Sequence, residues 1–220
     1  MPKFIPLKCP KCGFVIPRNG DTCMTCGYKI AVVPATPAGA PPVPGSHANP
    51  QLKSKDHTSE VSDPRLLAPC GLYCGVCGVY IATRDHNEKF KEILGKLYGS
   101  KPEKTECKGC MQGDPPELIY GFCAICPIRD CIKSKGFYSC HQCKDYPCKF
   151  IENFSMPVGR KVMQRAIPEW RALCAKLGVE KGNIAFAEAQ FERYKCPQCG
   201  YDLFRGAKRC RSCGSPVDVD

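Results

Sequence analysis

Apolar residues recur at helical spacing in only a few parts of this chain. Over 183–194, Ile184, Ala187, Phe191 and Tyr194 share one side of a helix that runs almost directly into Cys196. Upstream, Met163, Ile167, Trp170, Leu173, Cys174 and Leu177 line one side of a second helical stretch. Pro168 and Glu169 stand where a new helix would begin, so the pattern predicts a break near Ala166. A further helix is expected over about 87–98. Between 31 and 68 the periodicity disappears into a Pro-rich, then polar and charged run with almost no aromatic residue, which reads as a flexible linker. His47 and His57 fall there and read as solvated.

With 20 Cys, 20 Gly and 21 Pro in 220 residues, little is left for a continuous sheet or a large apolar core. The cysteines fall into C-x-x-C pairs, a spacing that lets two thiolates on one turn reach a single tetrahedral ion. Cys9, Cys12, Cys23 and Cys26 are spaced C-x2-C-x10-C-x2-C, and Cys196, Cys199, Cys210 and Cys213 repeat that spacing unchanged. A glycine follows the second cysteine of every pair: Gly13, Gly27, Gly200 and Gly214. Phe14, Val15 and Ile16, with Tyr201, Leu203 and Phe204 as counterparts, fit short strands between the pairs. Both ends therefore resemble zinc ribbons, a resemblance specific for metal and unspecific for function.

Central cysteines are arranged differently. Cys70, Cys74 and Cys77 run C-x3-C-x2-C, Cys107 and Cys110 form a pair, and two units 17 residues apart both read C-x2-C-x4-C: Cys123, Cys126, Cys131 and Cys140, Cys143, Cys148. The strings CGLYCGVCGVYIA at 70–82, ECKGC at 106–110, CPIRDCIKSKG at 126–136 and CHQCKDYPC at 140–148 together resemble the DUF3795 family over residues 69–155. That resemblance implies a small cysteine-rich, metal-binding domain and no established reaction.

The expected fold is a set of small metal-nucleated modules. A ribbon of short β hairpins spans 1–30, a flexible linker 31–68, a cysteine-rich α+β or irregular domain with helices 69–180, and a short helix with the second ribbon 183–220. The tethered N-terminal ribbon is expected to move freely and the C-terminal one to be held against the core. Eleven central cysteines are one short of three four-thiolate sites, with His141, next to Cys140, the first candidate for a twelfth ligand and His86 the second. Cys174, alone in an apolar stripe, reads as an ordinary buried thiol.

Zinc is the expected ion at both ends, while zinc and [4Fe–4S] clusters are alternatives for the centre. The C-x3-C-x2-C at Cys70 matches the cluster motif of radical S-adenosylmethionine enzymes, but the room for their partial barrel is missing. No Gly-rich phosphate loop, H-E-x-x-H or G-x-S-x-G is present, so no catalytic residue is assigned. The formal charge of +11 is misleading, because two zinc tetrathiolates bring it to +7 and three more to about +1. The expected function is a non-enzymatic, cytoplasmic, multi-site zinc-binding adaptor or accessory protein that presents its ribbons to a protein partner. The alternatives are an iron–sulfur protein for electron transfer or redox sensing, and a zinc-ribbon nucleic-acid binder, the last not favoured. No run of the sequence suits a membrane span.

Overall fold

A computed structural model of the chain describes residues 7–16, 21–30, 63–111 and 119–220. Most of the linker expected at 31–68, with His47 and His57, lies outside the described residues.

Seven helices carry the fold among those residues: α1 (Gly78–Arg84), α2 (Glu88–Tyr98), α3 (Gly121–Ala124), α4 (Pro127–Ser134), α5 (Lys149–Glu152), α6 (Pro157–Leu177) and α7 (Val179–Arg193). Single 3₁₀ turns at Pro64–Leu66, Cys74–Val76, Pro102–Lys104 and Cys140–Gln142 join them. Helix α2 starts where the Asn87 side chain accepts a hydrogen bond from the Phe90 amide, and it stops at Gly99, whose φ of 72° suits a residue without a Cβ.

Helices α6 and α7 form a hairpin turned by one residue, Gly178. Its two arms lie so close that a Cβ on Gly182 would stand 2.6 Å from Cys174 Cα. Trp170 is fully buried between them, its ring stacked on Phe186 at 4.7 Å and its Nε1 donating to Asn183 Oδ1 at 2.8 Å. Leu66, Leu67, Tyr73, Ile151, Met163, Ile167 and Tyr194 complete this core.

The break expected near Ala166 does not occur, for α6 runs unbroken through Pro168. Proline removes the N–H that would have reached the Gln164 carbonyl. That oxygen instead accepts from the Tyr146 hydroxyl at 3.2 Å, which compensates the lost bond.

The expected hairpin ribbons and α+β architecture are corrected by the fold, which is essentially helical. Sheet among the described residues amounts to one antiparallel pair of two-residue strands, β1 (Leu7–Lys8) and β2 (Val15–Ile16), in the register Leu7↔Ile16 and Lys8↔Val15. The C-terminal module has no strand, only the isolated bridges Lys195↔Asp202 and Arg209↔Pro216. The physical reason is local. Each cysteine pair spends its backbone on a turn, with Cys196 N–H to Tyr201 C=O at 2.9 Å and Gly200 N–H to Cys196 C=O at 2.8 Å, and few residues are left to extend a ladder. The same applies to the residues expected as strands, Tyr201, Leu203 and Phe204: Leu203 is buried in the helical core and Phe204 meets Phe90 edge-on at 5.2 Å.

Both terminal modules rest on the helices. On the C-terminal side Leu203, Ala207 and Val217 join the main core, and the Arg205 amide donates to Val76 C=O at 2.8 Å. On the N-terminal side, expected to move freely, the Asp21 amide donates to Ser155 C=O at 2.9 Å. Its carboxylate pairs with the Arg160 guanidinium at 2.9 Å, and Met24 enters the core.

Candidate metal centres

The two terminal cysteine sets are built by one local geometry used four times. In each pair the amide of the first cysteine bonds the carbonyl five residues on, and the glycine amide returns to the first cysteine's carbonyl at 2.8–2.9 Å. The four glycines have φ of 72°, 69°, 68° and 74°, a conformation that side chains rarely adopt. This bend leaves both sulfurs of a pair on the same side.

Within each module the four sulfurs lie within 4.8 Å of one another. Cys9 and Cys26 Sγ are 3.6 Å apart and Cys12 and Cys23 Sγ 3.4 Å; the matching C-terminal separations, Cys196 to Cys213 and Cys199 to Cys210, are both 3.7 Å. Metal–sulfur bonds of about 2.3 Å in a regular tetrahedron place the sulfurs about 3.8 Å apart, so each set fits one tetrahedral ion. Both sets have the same exposure, with the first and third cysteines buried and the second exposed.

Electrostatics splits each set. Burial pushes the Cys9 thiol up, but the Lys11 and Cys12 amides and the Cys26 and Cys23 sulfurs bring it down to about 7. Cys12 reaches about 12, because the lowering by the Phe14 amide is outweighed by burial and the neighbouring sulfurs. In the other module the hydroxyl and amide of Ser215 hold Cys213 down to about 6, while burial takes Cys210 up to about 12. Four thiolates cannot share so small a space without a cation among them, and a divalent ion removes that repulsion.

The central cysteines do not form such tetrahedra. Among the described residues no further set of three Cys, His, Asp or Glu ligand atoms comes within 4.8 Å. They gather more loosely in two neighbourhoods. Cys110 stands between Cys74 and Cys123 within hydrogen-bonding reach of both, its amide donating to Cys74 Sγ at 3.4 Å, and Cys77 and Cys107 face the same place. Cys140 faces Cys148, Cys143 and Cys131, while Cys70 and Cys126 lie between the two groups. Burial pushes Cys107 and Cys140 up to about 12 and Cys126 up to about 11, keeping these thiols protonated where no cation meets them.

Neither histidine considered as a twelfth ligand joins a cysteine set. His141 turns into the core, its ring 4.6 Å from Trp170 and its Nδ1 2.6 Å from Ser139 Oγ, and burial lowers its pKa to about 4. His86 is exposed just after α1, with φ of 50°. Cys174 Sγ is 3.6 Å from Asn183 Oδ1 and 3.9 Å from Val179 O, apart from the other thiols. All twenty cysteines are free of disulfides.

Two cations beside the central sulfurs escaped the sequence reading. Lys135 Nζ donates to Cys143 Sγ at 3.4 Å and also to Asp145. Arg205 donates to Tyr73 C=O at 2.8 Å; burial opposes its charge, but Tyr194, Cys77, Cys74 and Asp220 around it keep it charged. Arg205 has no local signature, since it stands 132 residues from its acceptor.

Comparison with known proteins agrees with the motif reading of the centre and adds no activity. No curated protein and no solved structure matches the chain. Residues 66–153, against the 69–155 marked out by the motifs, match the family model described as "Protein of unknown function (DUF3795)", so this cysteine-rich part of the chain is similar to that family.

Proposed function

We propose that this chain is a non-catalytic zinc protein whose two terminal four-cysteine sets each hold one zinc ion, and that it acts as an adaptor docking on a protein partner. The sulfur separations of 3.4–3.7 Å carry the reading, since they suit one small tetrahedral ion. Four thiolates fill the coordination sphere and leave no position for water or substrate, the pattern of structural rather than catalytic zinc. Zinc would supply the folding energy that these two short, core-poor modules lack. Exposed Leu177, Val179 and Ile184 at the turn of the α6–α7 hairpin support a docking role.

The nucleic-acid reading is weaker. The basic residues around the C-terminal cysteine set are engaged within the fold: Lys195 with Asp202, Lys208 with Asp218, Arg209 with Gly214 C=O, Arg205 with Tyr73 C=O, and Arg211 over the Phe90 ring at 4.5 Å. No helix among the described residues is long and apolar enough to cross a membrane.

Cobalt substitution tests the zinc reading. Cobalt(II) in place of zinc is expected to give the intense visible bands of a tetrahedral tetrathiolate, reduced by half in a Cys12→Ser or a Cys199→Ser variant. Weak octahedral bands, or bands indifferent to both substitutions, would refute it.

A further inference from the structure

The chain itself displays what a single-ion site looks like, and one central neighbourhood departs from that form in a definite way. A cavity of about 190 Å³ opens beside α4 and α5, with Cys131, Cys140, Cys143 and Cys148 on its walls. It takes the whole second C-x2-C-x4-C unit together with the last cysteine of the first. At both ends of the molecule four sulfurs already stand at tetrahedral separations, yet around this cavity no three approach within 4.8 Å. The sulfurs are held apart around a space, which suits a cofactor with several metal atoms, each taking its own thiolate.

We propose that this cavity binds a [4Fe–4S] cluster through Cys131, Cys140, Cys143 and Cys148. Four cysteine thiolates are the ordinary ligand set of such clusters. Ile128, Ile132 and Phe150 supply apolar walls, and Cys140 and Cys143 are buried, which shields the cluster from water. Binding releases the four thiol protons, and a 2+ core with four thiolates carries two net negative charges. Lys135 and Lys149 on the rim oppose that charge, offset in part by Asp145, which also lines the cavity and pairs with Lys135. The Lys135 ammonium, already 3.4 Å from Cys143 Sγ, donates directly to a ligand sulfur. Hydrogen bonds to ligand sulfurs raise a cluster's reduction potential. The site does not depend on zinc at the termini.

The test uses the full chain, purified without oxygen and reconstituted with ferric iron, sulfide and excess thiol, then freed of unbound metal. Visible absorbance, iron and sulfide content, and the spin-resonance signal of the reduced protein are read for wild type and variants. A Cys140→Ser/Cys143→Ser variant is expected to lose about four irons and the matching share of the visible band. Cys12→Ser and Cys199→Ser are expected to keep both. Lys135→Met, which spares the ligands and so guards against misfolding of the double variant, is expected to retain the iron and shift the potential downward. Iron-free wild type, zinc bound at these cysteines, iron that survives the double substitution, or a potential unmoved in Lys135→Met would each overturn the proposal. Terminal sites without zinc would refute zinc binding by the two terminal cysteine sets and leave the cluster at this cavity standing.

Discussion

At the scale of the residue, side chains of one type do different work according to what surrounds them. Trp170 is the largest fully buried side chain and fastens the two long helices, so Trp170→Ala is expected to cost about 3–5 kcal/mol, measured by chemical denaturation of the metal-loaded protein. Gly182 is needed for lack of a side chain: Gly182→Val would drive methyl groups into the Cys174 backbone and cost about 1–3 kcal/mol by the same measurement. The terminal ligands were legible in the sequence because four of them lie within 18 residues and are set by local turns. His141 was not, because its fate depends on packing against Trp170, 29 positions away, and a histidine beside a cysteine looks like a ligand until that ring is in place.

At the scale of the element, helix existence followed from apolar periodicity, whereas helix ends and breaks followed from contacts made across the fold. The long helix α6 survives its internal proline because Tyr146 supplies a donor to Gln164 C=O. Tyr146→Phe is accordingly expected to cost about 0.5–1 kcal/mol, at the low end because water reaches this bond. Strand content was overestimated because short apolar runs between the cysteine pairs, such as Phe14–Ile16 and Leu203–Phe204, resemble the strands of zinc ribbons. In the structure Leu203 and Phe204 face the helices instead.

The seating of the N-terminal module is also an element-scale contact, with a definite pH dependence. Burial raises the Asp21 pKa, but the Arg160 hydrogen bonds and charge, with help from the Thr22 hydroxyl, lower it further, so the net shift is downward. A carboxylate with a lowered folded pKa contributes stability above its unfolded value of about 3.9, lost as pH falls through the folded value. Arg160→Met is expected to weaken the seating by about 1 kcal/mol near neutral pH, with faster hydrogen exchange of the Asp21 amide that bonds Ser155. The difference from wild type should shrink below about pH 4.

At the scale of the whole molecule, a helical hairpin and the cysteine-rich region similar to the DUF3795 family form the body, and a four-cysteine module rests on it from each end of the chain. The sequence repeat made the two metal-competent ends visible, since identical spacing produced nearly identical sulfur separations. Partition of the eleven central cysteines was out of reach, because it depends on how α3, α4 and α5 bring distant loops together. Cys123 and Cys131, eight residues apart, belong to different neighbourhoods.

Zinc content per chain, determined by plasma mass spectrometry on wild type, Cys12→Ser, Cys199→Ser and the double variant, all purified without oxygen, addresses the central claim most directly. The account predicts one zinc fewer than wild type in each single variant and two fewer in the double variant. Zinc content equal across all four proteins would contradict it.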